Sequence, residues 1–218
     1  MRHGAIGRRA ICQGISRRLA LGGGGGDLVT FVAFLHSIVL TEERRVIMSD
    51  LRRLALDLGF ENPQTLASTG NLVIDCRQPL PVAEAERRLE AGIEQAFGKH
   101  IDVIVRTSRD FKRLAAVNPY PGQSAQNGGH VCVRVQREAM TEEKLAALEK
   151  WKGEGDLVTL VEPDLWIAFG GKPSQSRLLS RLTIRHLGIG TTRNWNTIQG
   201  LAKILATRNL LYDAGKTA

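Results

Sequence analysis

The spacing of apolar side chains alternates along the chain between strand-like and helix-like periods. Residues 28–35 form a continuous apolar and β-branched run, which predicts a buried strand. Apolar residues then recur at helical spacing from Met48 to Leu58, with Ser49 as the predicted N-cap and Gly59 as the stop. The pattern therefore begins with a strand followed by a helix.

A hairpin, a second helix and a further strand complete this first set. Residues 64–68 and 71–76 flank Thr69 and Gly70, a tight reversal in which the glycine can take the positive φ that a short hairpin needs. Residues 82–97 are amphipathic with a helical period, and residues 101–105 alternate like a strand. The resulting order, βαββαβ, is the split βαβ arrangement of ferredoxin-like folds.

The same pattern begins again after a linking segment. Residues 108–117 predict a helix, and residues 119–129 form a polar loop rich in proline and glycine. The second set comprises a strand at 131–135, a helix at 141–151, a hairpin at 157–161 and 165–169, a helix at 177–187 and a terminal helix at 194–206. No closing strand is predicted in this set. We therefore expect an α+β protein with two ferredoxin-like halves in tandem, the second ending in two C-terminal helices.

These boundaries divide the chain into five parts. They are a disordered basic N-terminal extension (1–27), a first α+β half (28–107), a linking helix and loop (108–129), a second α+β half (130–208) and a tail (209–218). The extension carries five arginines, one acidic residue and a run of glycines at 22–26, a composition that favours disorder. We interpret residues 1–27 as a leader from an over-extended gene model, with an organellar transit peptide as the alternative.

Composition narrows the class of protein. The chain is 43% hydrophobic and 24% charged, values ordinary for a globular protein, and its longest apolar stretch is too short to span a membrane. The three cysteines, Cys12, Cys76 and Cys132, lie far apart, so neither a disulfide framework nor a zinc site is encoded. We expect a cytoplasmic protein with no membrane association and no cofactor.

The positive charge is concentrated near the C-terminus. The formal net charge is +8, and residues 165–212 contain no Asp or Glu. The basic side chains of this segment are Lys172, Arg177, Arg181, Arg185, Arg193, Lys203 and Arg208. A surface of one sign attracts anionic partners, so a phosphate compound or a nucleic acid becomes a candidate ligand. An ordinary solvated basic face is the alternative.

Two features of this segment could form an anion site. The glycine loop at 170–176 lies between a predicted strand and helix, where Lys172, Ser176 as N-cap and Arg177 would suit one phosphate or carboxylate. The loop is not a Walker A sequence, and an ordinary strand–helix connection is the alternative. Arg177, Arg181 and Arg185 recur every four residues and would form a stripe on one helix face.

Three short motifs carry a resemblance to a known family. They are residues 51–62, the sequence Thr69-Gly70-Asn71, and above all Thr191-Thr192-Arg193-Asn194-Trp195-Asn196-Thr197. Together they resemble the bacterial family of domain of unknown function 1697 over residues 30–206. The resemblance implies a pair of similar α+β halves and no established activity. The loop after the first strand, residues 36–42, departs from the pattern usual in that family.

The last motif has a structural and a functional interpretation. Thr191 or Thr192 can cap the terminal helix while Trp195 anchors it in the core. Capping leaves Arg193, Asn194 and Asn196 unexplained, and these multi-donor groups at a helix N-terminus would favour an anion.

No catalytic or metal-binding motif is present in the sequence. The histidines outside the extension are isolated, and neither a nucleophile elbow nor a zinc-protease pair occurs. We therefore predict a protein that binds an anionic ligand through a basic C-terminal surface. The alternatives are an enzyme acting on a phosphorylated or carboxylated small molecule in a cleft between the halves, or a structural interaction domain. The sequence leaves the oligomeric state open.

Overall fold

The computed structural model describes residues 28–216, with side chains as far as Leu211, so the predicted extension at 1–27 lies outside the described residues. The first half contains β1 (Val29–Leu35), α1 (Met48–Asp57), β2 (Glu61–Leu66), β3 (Asn71–Cys76), α2 (Val82–Phe97) and β4 (Val103–Thr107). The link contains α3 (Ser108–Ala116) and α4 (Pro121–Gln126). The second half contains β5 (Val131–Gln136), α5 (Glu142–Glu149), β6 (Leu157–Val161), β7 (Asp164–Ala168), α6 (Ile184–Leu187), β8 (Gly190–Asn194) and α7 (Trp195–Lys216).

Each half forms a four-stranded antiparallel sheet with helices, which confirms the predicted α+β class. The strand orders are β2-β3-β1-β4 and β6-β7-β5-β8, so the two sheets have the same topology. Among the described helices, none is both long enough and apolar enough to cross a bilayer.

The predicted absence of a closing strand in the second half is wrong. Strand β8 pairs antiparallel with β5, from Cys132 opposite Asn194 to Gln136 opposite Gly190. Its sequence, Gly-Thr-Thr-Arg-Asn, lacks the apolar alternation that identifies a strand, because the side chain it buries at Arg193 is charged. The second half is therefore also βαββαβ.

The prediction of a continuous helix over residues 177–187 is also wrong. The segment contains 3₁₀ turns at Pro173–Gln175 and Leu179–Arg181, followed by the short α6. Thr183 is extended, which interrupts any continuous helix. The buried Arg134 binds this segment, donating from Nη1 to the Leu182 carbonyl at 2.9 Å and from Nη2 to the Gly188 carbonyl at 2.8 Å. The terminal helix α7, in contrast, runs past its predicted end and through most of the predicted tail.

The core consists of three apolar clusters. One lies on the outer face of the first sheet beneath α1 and α2, and another on the outer face of the second sheet beneath α5. The central cluster joins the inner faces of both sheets to α3 and α7, and includes Val32, Phe34, Val133, Trp166 and Leu201. Because alternate side chains of a strand point to opposite faces, β1 and β5 each contribute to two clusters. The two halves therefore share one core.

Four arginines, two of them buried and two half-buried, bind one half to the other. We call Arg106, Arg137, Arg193 and Arg208 the inter-half arginines. Arg106 donates to Asp164 Oδ1 at 3.0 Å and to the Gln136 carbonyl, and Arg137 donates to the Val103 carbonyl at 2.6 Å and to Glu90. Arg208, on α7, donates to Asp75 Oδ2 at 2.8 Å. Charge-assisted hydrogen bonds of this kind fix the orientation of the halves.

Candidate functional site

Arg193, predicted to bind an anion at the surface, is 8% exposed and lies between the two halves. All five of its N–H groups are used. Nε donates to Asn71 Oδ1 at 2.5 Å, Nη1 to Thr191 Oγ1 at 2.6 Å and to the Thr192 carbonyl at 3.0 Å, and Nη2 to the carbonyls of Leu35 at 2.8 Å and Thr69 at 2.9 Å. Burial lowers the pKa of Arg193 to about 10. The surface assignment of Arg193 is therefore corrected to an interior one.

The hairpin motif of the first half forms the other side of this contact. Asn71 donates from Nδ2 to the Leu66 carbonyl at 3.0 Å and to Thr69 Oγ1 at 2.8 Å, which orients its Oδ1 toward Arg193. Gly70 has φ +76°, and a Cβ there would lie 2.8 Å from that of Leu35, so the tight turn excludes larger residues. Two of the three motifs that carry the family resemblance thus contact each other across the halves.

The rest of the last motif begins the terminal helix. Asn194 is the N-cap, because its Oδ1 accepts from the backbone N–H of Thr197 at 3.0 Å and from its hydroxyl at 2.8 Å. Thr191 and Thr192 lie within β8, so the predicted cap at either of them is wrong. The half-buried Trp195 packs its ring 5.8 Å from that of Trp166, as an anchor of the helix would. Asn196 is exposed.

The glycine loop at 170–176 already holds an anion, the carboxylate of Asp156. The Gly170 N–H donates to Asp156 Oδ1 at 2.9 Å, and the Gly153 N–H donates to Oδ2 at 2.9 Å. Ser176 Oγ donates to Oδ2 at 3.1 Å and accepts from the Leu178 N–H at 3.2 Å. The loop has the chemistry that the sequence predicts, but the anion is internal. Lys172 is exposed outside this arrangement.

Two of the three arginines predicted to form a stripe meet on one aromatic ring. The guanidinium carbon of Arg181 lies 3.5 Å from the ring centroid of Trp151, and that of Arg177 lies 5.3 Å from it. Lys150 Nζ is 6.0 Å from the same centroid. Arg185 is exposed on α6, so the predicted stripe does not exist as one helix face. The positively charged side chains are therefore brought together by contact with the Trp151 ring and not by a shared helix face.

A cavity of about 390 Å³ lies beside this ring, between α5 and the 3₁₀ and α6 segment. Its polar lining residues are Glu143, Lys144, Lys150, Arg181 and His186. We call this cavity, together with Trp151 and Arg177, the Trp151 groove. Within the described part of the chain, no carboxylate forms an ion pair with any of its lysines or arginines. The groove therefore carries a net positive charge, with Lys144, Lys150, Arg177 and Arg181 against one acidic side chain, Glu143.

Hydrogen bonds beneath and around the groove hold it in place. The bonds from Arg134 fix the carbonyls on either side of α6, and Thr183 Oγ1 lies 2.7 Å from His186 Nδ1. Thr141 caps α5 by accepting from the Lys144 N–H at 3.4 Å. The Nε of Arg181 is buried, with no hydrogen-bond partner among the described residues.

Sequence reasoning missed Trp151, Lys144, Lys150 and His186 as members of this site. Lys144 lies on α5, Lys150 and Trp151 directly follow that helix, and His186 lies on α6. Only tertiary packing brings α5 next to the arginine-bearing segment. The one feature of the sequence that could have indicated this site is a tryptophan directly after a helix that carries lysines. That pattern is common at ordinary helix ends, so it does not identify a binding site.

Among the described residues, one cluster of three side chains away from the groove could offer ligand atoms to a metal ion. Ligand atoms of Glu90, His100 and Asp102 lie within 4.8 Å of one another. Glu90 Oε1, however, accepts from the Val103 N–H at 2.9 Å and from Arg137. Its charge is therefore already neutralised by an inter-half arginine.

Comparisons with known proteins bear on the fold and the family. No curated protein sequence matches the chain. The solved structure of the conserved bacterial protein SP0830 from Streptococcus pneumoniae is similar, with a TM-score of 0.64 at 15% identity, over 82% of this chain and 99% of that one. At this identity the likeness concerns the fold alone. A protein-family model described as "Protein of unknown function (DUF1697)" matches residues 28–166, which include both sheets except β8 and part of β7. The chain therefore belongs to the DUF1697 family of proteins of unknown function.

Proposed function

We propose that the protein binds a small phosphate-bearing molecule in the Trp151 groove. The observation that carries this proposal is the state of Arg181. Its guanidinium is stacked on Trp151 and its Nε is buried without a partner among the described residues, while Lys144 and Lys150 line the same cavity. Positive side chains concentrated in this way are suited to a phosphate dianion.

Stacking on Trp151 prepares the guanidinium for an anion without neutralising it. The guanidinium carbon lies 3.5 Å from the ring centroid of Trp151, and no described carboxylate forms an ion pair with the N–H donors of Arg181. A salt bridge would instead have occupied those donors. Because Arg181 is held in one orientation before a ligand arrives, less side-chain entropy is lost on binding.

The shape of the groove favours a small molecule over a nucleic acid. The cavity is concave and has a volume within the range of small-molecule sites. Single-stranded RNA is bound largely by stacking of bases on aromatic rings, and Arg181 already covers a face of Trp151 at 3.5 Å. RNA binding is therefore the less favoured outcome of the test below.

The enzyme alternative, with a phosphorylated or carboxylated substrate in a cleft between the halves, has weaker support. A cavity does lie between the halves, but Asp110, Glu162 and Asp164 line it together with Arg106 and Arg113. The carboxylates of this lining repel an anionic substrate and so offset its attraction to the two arginines.

Isothermal titration calorimetry with pyrophosphate, glucose 6-phosphate and AMP tests the proposal, with a ten-nucleotide oligouridine as a separate probe. Arg181→Gln removes a charge-assisted contact of about 1.5–3 kcal/mol, which is roughly a 10- to 100-fold loss of affinity. The matched control is Arg185→Gln, an exposed arginine of the same segment, with an expected change below about twofold.

Three results would contradict the proposal. One is the absence of heat with all three phosphate probes, which would favour a structural interaction domain. The second is an equal loss of affinity in both variants, which would indicate a diffuse basic surface. The third is binding of oligouridine alone, with an affinity that falls steeply with salt, which would identify a nucleic-acid surface.

A further inference from the structure

Strands β2 and β6 are corresponding edge strands of the two sheets. Strand β2 lies at one end of the first sheet and β6 at the same end of the second, and each pairs with a single described neighbour. The open side of an edge strand presents backbone N–H and C=O groups to which another strand can add. Native proteins protect such edges with proline, charged side chains or bulges, so the two edges can be compared on these points.

Strand β2 has all three kinds of protection. Its sequence contains Glu61 and Pro63, and its register with β3 shifts between Glu61 and Gln64. Asn62 has φ +48°, which lies outside the extended region of a strand. These features prevent another strand from pairing regularly with β2.

Strand β6 has none of them. Its sequence, Leu-Val-Thr-Leu-Val, contains no charged residue and no proline, and all five residues pair with β7 without a register shift. Leu157 is 40% exposed, and the other four residues are half-buried. A strand added at this edge would therefore meet apolar side chains on both of its faces.

Two residues of β6 turn their backbone groups toward the open side. The Phe169 N–H donates to the His130 carbonyl, so the odd-numbered residues of β7 bond to β5 and the even-numbered residues bond to β6. The even-numbered residues of β7 lie opposite the odd-numbered residues of β6, which leaves Val158 and Leu160 facing outward. In the described part of the chain, no backbone group outside the sheet bonds to either of them.

Two exposed acidic residues flank this edge in the sequence. Glu154 lies three residues before β6, and Glu162 directly follows its last residue. Neither forms an ion pair with a described lysine or arginine. The carboxylate of Asp156, which is nearer to the strand, already accepts from backbone N–H groups. The edge is therefore uncharged along the strand and acidic at both ends.

We propose that β6 binds an extended peptide segment of a partner protein as an additional antiparallel strand, and that this segment is apolar in its middle with a lysine or arginine at each end. The outward backbone groups of Val158 and Leu160 supply the hydrogen bonds, and the acidic ends select the basic residues. A second copy of β6 is a poorer occupant, because antiparallel pairing of two β6 strands brings their acidic ends together. The edge shares no residue with the Trp151 groove, so the two proposals stand or fall separately.

Fluorescence polarisation with labelled, end-blocked peptides tests the proposal. The probe is Arg-Val-Thr-Val-Thr-Val-Arg, and its charge control has glutamate at both ends. We expect saturable binding of the basic probe and at least about tenfold weaker binding of the acidic one, with a difference that shrinks as salt is added.

Two N-methylated versions of the basic probe separate backbone pairing from simple surface contact. One is methylated at its second, fourth and sixth residues, and the other at its third and fifth. Successive N–H groups of a strand point to opposite sides, so only one of the two sets faces β6. We expect one version to bind at least about tenfold more weakly and the other to bind nearly as well as the parent probe.

Variants of the edge provide a second measurement. Val158→Pro removes an outward N–H and keeps the ladder with β7, so we expect at least about tenfold weaker binding. Val158→Ala keeps that N–H and should change the affinity by less than about threefold. The double change Glu154→Gln and Glu162→Gln should weaken binding several-fold. The matched double change Glu42→Gln and Glu43→Gln, at exposed residues of the first half, should not.

Any of four outcomes would overturn the proposal. The basic probe does not bind, or it binds no more tightly than the acidic one. The two N-methylated versions lose equal affinity, which indicates contact without strand pairing; this comparison uses the unchanged protein and holds even if Val158→Pro does not fold. Sedimentation velocity shows a dimer that Val158→Pro dissociates, which identifies a second copy as the occupant.

Discussion

Replacing Arg193 with methionine tests how the two halves are held together. Methionine keeps much of the length and apolar contact of the arginine stem but removes all five donors. Three acceptors of the first half then lose their partner, namely the carbonyls of Leu35 and Thr69 and the Oδ1 of Asn71. The change therefore acts on the contact between the hairpin of the first half and β8.

The expected loss follows from these three bonds. A buried acceptor left without its donor costs about 1–3 kcal/mol, so three such acceptors cost roughly 3–5 kcal/mol or more. Part of this is recovered, because Arg193 is buried without a described carboxylate partner, and its pKa is lowered to about 10 by desolvation. We expect a net destabilisation of about 3 kcal/mol, a large fraction of the 5–15 kcal/mol that is usual for a protein.

Urea unfolding followed by circular dichroism measures this loss. The control Arg185→Met removes an exposed arginine of the same half, and we expect it to change stability by no more than about 0.5 kcal/mol. A double-mutant cycle with Asn71→Ala should give a coupling of about 1 kcal/mol or more. A loss below about 1 kcal/mol for Arg193→Met, or a coupling near zero, would refute the assignment of Arg193 as the link between the motifs.

Three further predictions concern single groups. Asn194→Ala should lose about 1 kcal/mol in urea unfolding as a removed N-cap, whereas the exposed Asn209→Ala should change stability by less than about 0.5 kcal/mol. Burial raises the pKa of Glu86, so folding favours its protonated form, and the free energy of unfolding should rise as the pH falls from 7 toward 4.5. Urea unfolding midpoints measured across this pH range should rise less steeply for Glu86→Gln than for the unchanged protein. Asp156→Ala should lose about 2–3 kcal/mol, and thermal unfolding with added formate, a small anion for the vacated loop, should recover part of it.

The sequence predicts those parts of the fold that depend on local apolar spacing. The first half follows from its alternation and from Gly70, whose φ of +76° closes the hairpin as expected. Strand β8 could not be found in this way, because its buried central side chain is Arg193. That arginine is buried only because acceptors as far as 158 residues away in sequence surround it. Spacing along the chain carries no information about such partners.

The same reason explains the outcome at the candidate site. A repeat of arginines every four residues predicts a stripe only if the segment is helical. Arg134 instead binds the Leu182 carbonyl, which a continuous helix over residues 177–187 would use. The arginines meet on Trp151, a residue whose position depends on how α5 packs. In the glycine loop the anion-binding chemistry was predictable, but its occupant, Asp156, comes from the preceding hairpin.

The charge of the chain and the charge of its surface are different quantities. The C-terminal segment has no acidic residue between 165 and 212, yet Arg193 and Arg208 are buried against the first half. Two of the three motifs that carry the family resemblance are explained by this contact, because Arg193 of the last motif bonds to Asn71 and Thr69 of the hairpin motif. The arginine of that motif therefore joins the two halves. The residues that are still available to bind an anion, such as Arg181 beside Trp151, lie outside these motifs. Experiments on function should therefore start at the Trp151 groove.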